Sequence, residues 1–233
     1  MAPKRVKNTY IFNDGGRDMK RILYKIIIPV CFAVLAPYWW VHAEDQAAVL
    51  ISAAEQGDLV KLKAALDKGA DINAVNTAGW SALLKASFEG HTAVAEELIR
   101  RGADVNIREK AGWTALMQAA QFGHLEIVKL LVAKGAEVNS TSRHGSTGLM
   151  FAAGNGHLKV VQFLIENGAA LNIRDKLGRT ALIFAATEGN DQVIIALLDK
   201  GADPTMKDKS GFTALDLARD GNHDKAVKVL TGK

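Results

Sequence analysis

The sequence predicts an all-α solenoid of about six helix–turn–helix repeats with β-turn or hairpin tips, preceded by a basic and apolar leader. Three series of residues, each stepping by 33, predict it. The first opens the repeats: Gly79-Trp80-Ser81-Ala82-Leu83 returns as Gly112-Trp113-Thr114-Ala115-Leu116, Gly145-Ser146-Thr147-Gly148-Leu149, Gly178-Arg179-Thr180-Ala181-Leu182 and Gly211-Phe212-Thr213-Ala214-Leu215. The second closes them, with Gly69-Ala70, Gly102-Ala103, Gly135-Ala136, Gly168-Ala169 and Gly201-Ala202. The third lies midway, with Gly90-His91, Gly123-His124, Gly156-His157 and Gly189-Asn190, preceded in register by Gly57-Asp58.

The leader comes first in the chain. Residues 1–43 hold seven bases and two acids, a net +5, and leave 22 bases against 23 acids, a net −1, for residues 44–233. A body this close to neutral lacks the phosphate-neutralising charge that nucleic-acid binding needs, so no nucleic-acid partner is expected. Sixteen uncharged residues, Ile26 to Val41, follow the bases, and Val41-His42-Ala43 places small or β-branched residues where a signal peptidase reads. Cleavage between Ala43 and Glu44 is expected, with Pro37 breaking the apolar helix just before that point. The alternative is an uncleaved anchor: residues 22–41 form a twenty-residue segment interrupted only by Lys25, close to the ~20 that span a bilayer. Either way the bases stay on one side and Glu44, Asp45 and Asp58 cross, which points to a periplasmic or secreted body, or to one tethered to the cytoplasmic membrane and facing outward. The lone Cys31 lies in this leader, so the body has no thiol for a disulfide, a cysteine zinc site or thiol catalysis.

Within each repeat the helices follow from local chemistry. Ser81, Thr114, Thr147, Thr180 and Thr213 stand where a hydroxyl accepts from the free N–H groups of a first turn, which makes them N-caps. The mid-repeat and closing glycines can take the left-handed conformation that ends a helix. In the second helix Val94, Leu98 and Ile99, repeated as Ile127, Leu131, Val132 and as Val160, Leu164, Ile165, draw an apolar stripe that stacking must cover. The repeats run approximately 46–78, 79–111, 112–144, 145–177, 178–210 and 211–233, with the first entered near Asp45 and the last ending in polar residues, as terminal caps do.

These residues resemble the ankyrin repeat, whose pattern is a turn, a short helix, a Gly-His loop, a second helix and a Gly-Ala ending. The resemblance covers about residues 46–233. It departs at one place, where the usual Thr-Pro-Leu-His reads Ser/Thr-Ala-Leu followed by Leu84, Met117, Met150, Ile183 or Asp216, and weaker hydrogen bonding between repeats is the expected result. The resemblance implies a monomeric, non-enzymatic module that binds a protein partner through its concave face and carries no cofactor.

Chemistry-bearing motifs are few. His91, His124 and His157 are one layer apart, about 8–10 Å for stacked helices, too far for one ion that needs ligands at ~2.1 Å, so they read as capping and loop hydrogen bonds and no metal is expected. No Gly-Lys-Ser/Thr phosphate loop and no unexplained nucleophile–base pair occurs. Specificity must then lie in columns that vary. The residue after the turn glycine is Trp80, Trp113, Ser146, Arg179 or Phe212, and the first helices end in Phe88-Glu89 and Gln121-Phe122. By the resemblance these line the concave face, so Trp80, Phe88, Trp113 and Phe122 are the candidate partner contacts, since aromatic side chains offer large area at low entropy cost. A Trp lying flat on its own hairpin as local packing is the competing reading. Lys110, Arg143, Lys176 and Lys209 form a second column, preceded by Glu109, Ser142, Asp175 and Asp208; Ser142 removes the neutralising acid, so Arg143, His144 and Arg179 are expected to seat an acidic loop. Gly148 and Gly154 weaken the fourth repeat by about 1 kcal/mol each, making it a hinge or a place of close backbone approach by a partner.

Overall fold

A computed structural model describes residues 46–232. The leader 1–43, the cleavage point Ala43/Glu44, the segment 22–41 and Asp45 lie outside the described residues.

Twelve helices occur among the described residues, in six pairs. They are α1 (46–56), α2 (Leu59–Asp67), α3 (Ala82–Glu89), α4 (Thr92–Arg100), α5 (Ala115–Gln121), α6 (Leu125–Ala133), α7 (Gly148–Gly154), α8 (Leu158–Glu166), α9 (Ala181–Thr187), α10 (Asp191–Asp199), α11 (Ala214–Asp220) and α12 (Asp224–Thr231). The first helices α3, α5, α7, α9 and α11 pack in sequence on one another, and the second helices α2, α4, α6, α8, α10 and α12 form a second layer. The hydroxyl caps are in place: Ser81, Thr114, Thr147 and Thr180 are extended residues whose side chains accept from the backbone N–H three positions on, at 3.3–3.4 Å. Thr213 closes a reciprocal cap, accepting from Asp216 N while Asp216 Oδ2 accepts from Thr213 N at 2.9 Å.

First helices are lined by alanines such as Ala86, Ala119, Ala152 and Ala185, all fully buried, which lets successive helices approach closely; Leu83, Leu116, Leu149 and Leu182 fill the seam to the second layer. The apolar stripe of the second helix sits slightly off the expected rows. Its deepest positions are Val94, Ala95 and Leu98, then Ile127, Val128 and Leu131, then Val160, Val161 and Leu164, whereas Val132 and Ile165 are only half-buried. Ile99, at the same position of α4, is buried as expected; at 100° per residue the position after the first stripe residue lies 100° from it and the fifth 140° away, so the former sits deeper in the core in every repeat and the latter drifts toward the rim in the third and fourth.

The expected weakness of hydrogen bonding between repeats is not found, because other residues supply it. His91, His124, His157 and His223 each place Nε2 at 2.8–3.2 Å from the carbonyl of Glu55, Phe88, Gln121 or Thr187 at the end of the preceding first helix. A carbonyl only accepts, so each ring donates from Nε2. Asn190 donates the same way to Ala153 O and Gly154 O. These residues therefore make loop bonds to the neighbouring repeat and do not cap their own helices. Gly90 shows why glycine stands opposite: its φ is 81°, and a Cβ there would lie 2.5 Å from the His124 ring. A second ladder runs through Asn73, Asn106, Asn139 and Asn172, whose Oδ1 atoms accept from the backbone of Asp104, Glu137, Ala170 and Asp203 at 2.8–3.1 Å. Arg108 and Arg174 pin further hairpins by donating to Thr141 O and Lys207 O at 2.7 Å.

The fourth repeat is correspondingly tighter than its glycines suggest. Gly148 and Gly154 are the first and last residues of α7, where the helix-interior penalty applies only in part. A Cβ at Gly148 would make an ordinary 3.5 Å contact with Ala120 Cβ, while one at Gly154 would press on Phe184 Cδ1 at 3.3 Å. Gly148 thus faces the preceding repeat and Gly154 the Phe184 side chain of the next one.

Two packing details yield predictions. Ser87 stands where the next three repeats have Ala120, Ala153 and Ala186, and its buried Oγ has no hydrogen-bond partner among the described residues. Ser87→Ala removes an unsatisfied group without changing shape, so thermal and urea denaturation should show a gain of about 1 kcal/mol. On α4, the largely buried Glu97 accepts from Arg100 at 2.8 Å and from Arg101 at 2.7 Å, and Arg101 reaches Asp67 of α2 at 2.6 Å. These guanidinium groups, Arg100 foremost, hold the Glu97 carboxyl down from 4.5 to about 2. A depressed folded-state value means the stabilisation is complete above 4.5 and is lost as pH falls toward about 2. The stability difference between wild type and Glu97→Gln should accordingly be constant above that upper value and shrink through the window below it when denaturation is followed against pH.

Candidate functional site

The face formed by the hairpins and the first helices carries the side chains singled out by sequence. Trp80 leaves the turn after Gly79, whose φ of 86° is left-handed, and its half-buried ring meets Phe88 edge-on at 5.6 Å. Lys85 Nζ stands 4.8 Å over the Trp80 ring and is held there by Glu55 at 2.6 Å. Phe88 meets Phe122 of the third repeat at 4.7 Å, and Phe122 remains 41% exposed. Trp80, Phe88 and Phe122 thus form one aromatic run across two repeats. Trp113 stands apart from these contacts and stacks on Phe151 of the fourth repeat at 4.0 Å and 20°. The aromatic patch is therefore two clusters, each bridging adjacent repeats.

Phe151 and Phe184 are the members that sequence reasoning missed. Their signal was available: the column Lys85, Gln118, Phe151, Phe184 varies on the first helix and lies four residues after each cap.

Beside the first cluster the hairpin tips form a shallow, open groove of ≈ 570 Å³ lined by Trp80, Lys110, Arg143, His144 and Lys176, together with Glu109 and two alanines. The groove brings Trp80, Arg143 and His144 together and adds Lys110 and Lys176. Arg179 does not line it. Its Nη2 pairs with the buried Asp175 carboxylate at 2.8 Å and its guanidinium lies 4.3 Å over Phe184.

The acids of this column have an unexpected job. Glu109 accepts from Ala111 N and Trp113 N, Asp175 from Leu177 N and Arg179 N, and Asp208 from Ser210 N and Phe212 N, at 2.7–3.0 Å. Ser142 fills the same position with its hydroxyl, accepting from His144 N and Ser146 N at 3.3 Å. These groups close the turn from inside and form no ion pair with the adjacent base. Arg143 is thus no exception: Lys110, Arg143, Lys176 and Lys209 are all exposed, and none has a carboxylate within ion-pair distance among the described residues.

Such a face can bind by apolar contact and by cationic hydrogen bonding. Among the described residues no three His, Cys, Asp or Glu side chains gather in a group that could hold a metal ion, and no helix is long and apolar enough to cross a membrane.

Comparison with known families agrees with this architecture. A family model described as ankyrin repeats (3 copies) matches residues 50–142, 128–208 and 149–233. No curated protein sequence matches the chain.

Proposed function

Because this chain belongs to the ankyrin repeat family, we propose that it is a non-enzymatic, exported binding module that holds a protein partner on the concave face of its repeats. Ankyrin repeats are generally protein–protein interaction modules, and the family is typically non-enzymatic. The observation that carries the reading is the partly exposed aromatic run Trp80–Phe88–Phe122 beside the basic groove. Aromatic side chains already held by their neighbours lose little entropy on binding, which is the condition for an interface hot spot. Trp80, Phe88, Trp113 and Phe122 supply the apolar contact, while Arg143 and His144 supply polarity at its edge. Arg179 acts at one remove, holding Phe184 in place. The module works as a monomer, without a cofactor or nucleic acid.

Export rests on the leader. Its basic start, its apolar segment and the Val41-His42-Ala43 ending support cleavage before Glu44 and a periplasmic or secreted body. A second reading, an outward-facing membrane-tethered scaffold, rests on the twenty residues 22–41.

Affinity capture of the tagged full-length protein from its own cells, with mass spectrometry of the bait's N-terminal peptide, tests both parts. Trp80→Ala with Trp113→Ala should weaken retention of one specific protein by about 30-fold or more, the size of a hot-spot loss. Unchanged retention would make both tryptophans local packing. A bait beginning at Glu44 agrees with export by cleavage, and one retaining residues 1–43 agrees with the tether.

A further inference from the structure

We propose that the hairpin-tip groove receives an extended, proline-containing segment of a protein partner that carries a carboxylate at every third residue. The proposal rests on the protein-binding reading above and names the chemistry of what is bound.

Three observations carry it. First, bases outnumber acids along the groove: Lys110, Arg143 and Lys176 line it against the single carboxylate of Glu109, which is part-buried and accepts from the backbone N–H of Ala111 and Trp113, while Asp175 of the next hairpin is buried on its own turn. Negative charge on the partner meets bases that need not break an internal ion pair first, which lowers the cost of binding.

Second, the backbone that carries the cations is held in register. The backbone N–H of Lys110, Arg143, Lys176 and Lys209 each donates to the tip of the preceding repeat, at Ala78 O, Ala111 O, His144 O and Leu177 O, over 2.8–3.3 Å. The bases therefore repeat at the stacking distance of the helices behind them, about 8–10 Å.

Third, that spacing selects a conformation. A polyproline II strand has three residues per turn and rises about 3.1 Å per residue, so every third side chain returns to the same face after about 9 Å. A β-strand does not offer this, because its residues i and i+3 point to opposite faces. Trp80 at the groove wall adds an aromatic surface of the kind on which proline-rich segments dock.

A nucleic acid is less well matched. Residues 44–233 carry 22 bases against 23 acids, so the cationic row is local and provides little of the long-range attraction that draws polyanions.

The test uses the full-length chain and a fluorescein-labelled peptide of four Asp-Pro-Pro triplets, with affinity read by anisotropy. A peptide of the same composition with its aspartates in one block controls for charge alone, and a thymidine oligonucleotide of equal charge controls for polyanions. The variant Lys110→Glu, Arg143→Glu, Lys176→Glu changes exposed side chains only, retains the basic leader, and is checked for its helical circular dichroism. The triplet peptide should bind wild type about tenfold or more tightly than the block peptide, and the variant should lose that preference. Equal binding of the two peptides, undiminished binding by the variant, or tighter binding of the oligonucleotide would each overturn the proposal. A wild-type protein that ignores the triplet peptide yet keeps a Trp80- and Trp113-dependent partner would sink the groove proposal alone. Loss of that partner dependence as well would remove the binding-module reading with it.

Discussion

No repeat of this chain can bury its own apolar surface, and the contact between one repeat and the next is the constraint from which everything else follows. A single helix pair exposes one side of its alanine-lined first helix and one side of its second; only the next pair covers them. Hydrophobic contact alone would tolerate sliding between layers, because it has no direction. Direction comes from polar side chains at fixed places. The histidines hold the helix–helix loops, the asparagines and Arg108 and Arg174 hold the bases of the hairpins, and backbone bonds hold the tips. These bonds set each layer in one register against the last.

The proposed binding face depends on that register. Phe88 touches Phe122, and Trp113 touches Phe151, only because consecutive repeats are offset by a fixed amount. The backbone of the cationic tips is set from one repeat to the next by the same kind of contact. A partner therefore meets side chains already in place, and the affinity otherwise spent on ordering them is available for contact.

Sequence made the repeats legible because each turn, cap and helix end has a residue requirement that recurs at 33. The hydroxyl caps and the positive-φ glycines follow from local chemistry, so their placement needed no tertiary knowledge. Side-chain partners between layers were less legible. The histidines read as capping and loop residues; the loop bonds are there, but sequence does not show that the rings turn to the preceding repeat, a choice set by the space that Gly90 and its equivalents leave open. Glu109, Asp175 and Asp208 looked like neutralising neighbours of the bases, but the hairpin has backbone N–H groups to satisfy and the carboxylates satisfy them. Arg179 looked free because sequence does not show that Asp175 is buried and that Phe184 lies beneath it. Gly154 looked like a weak point because sequence does not show which ring fills it.

The most direct measurement of the central claim is amide hydrogen exchange, residue by residue, on the full-length protein. If bonds between repeats fix the tips, the exposed hairpin residues Arg143, Lys176 and Lys209 should have amides protected to a degree approaching that of the buried helices, since each donates to the preceding repeat. Exchange of those amides at the rate of an unfolded chain, with the helices still protected, would contradict it: the backbone bonds between tips would then not hold, and the tips would have no fixed register.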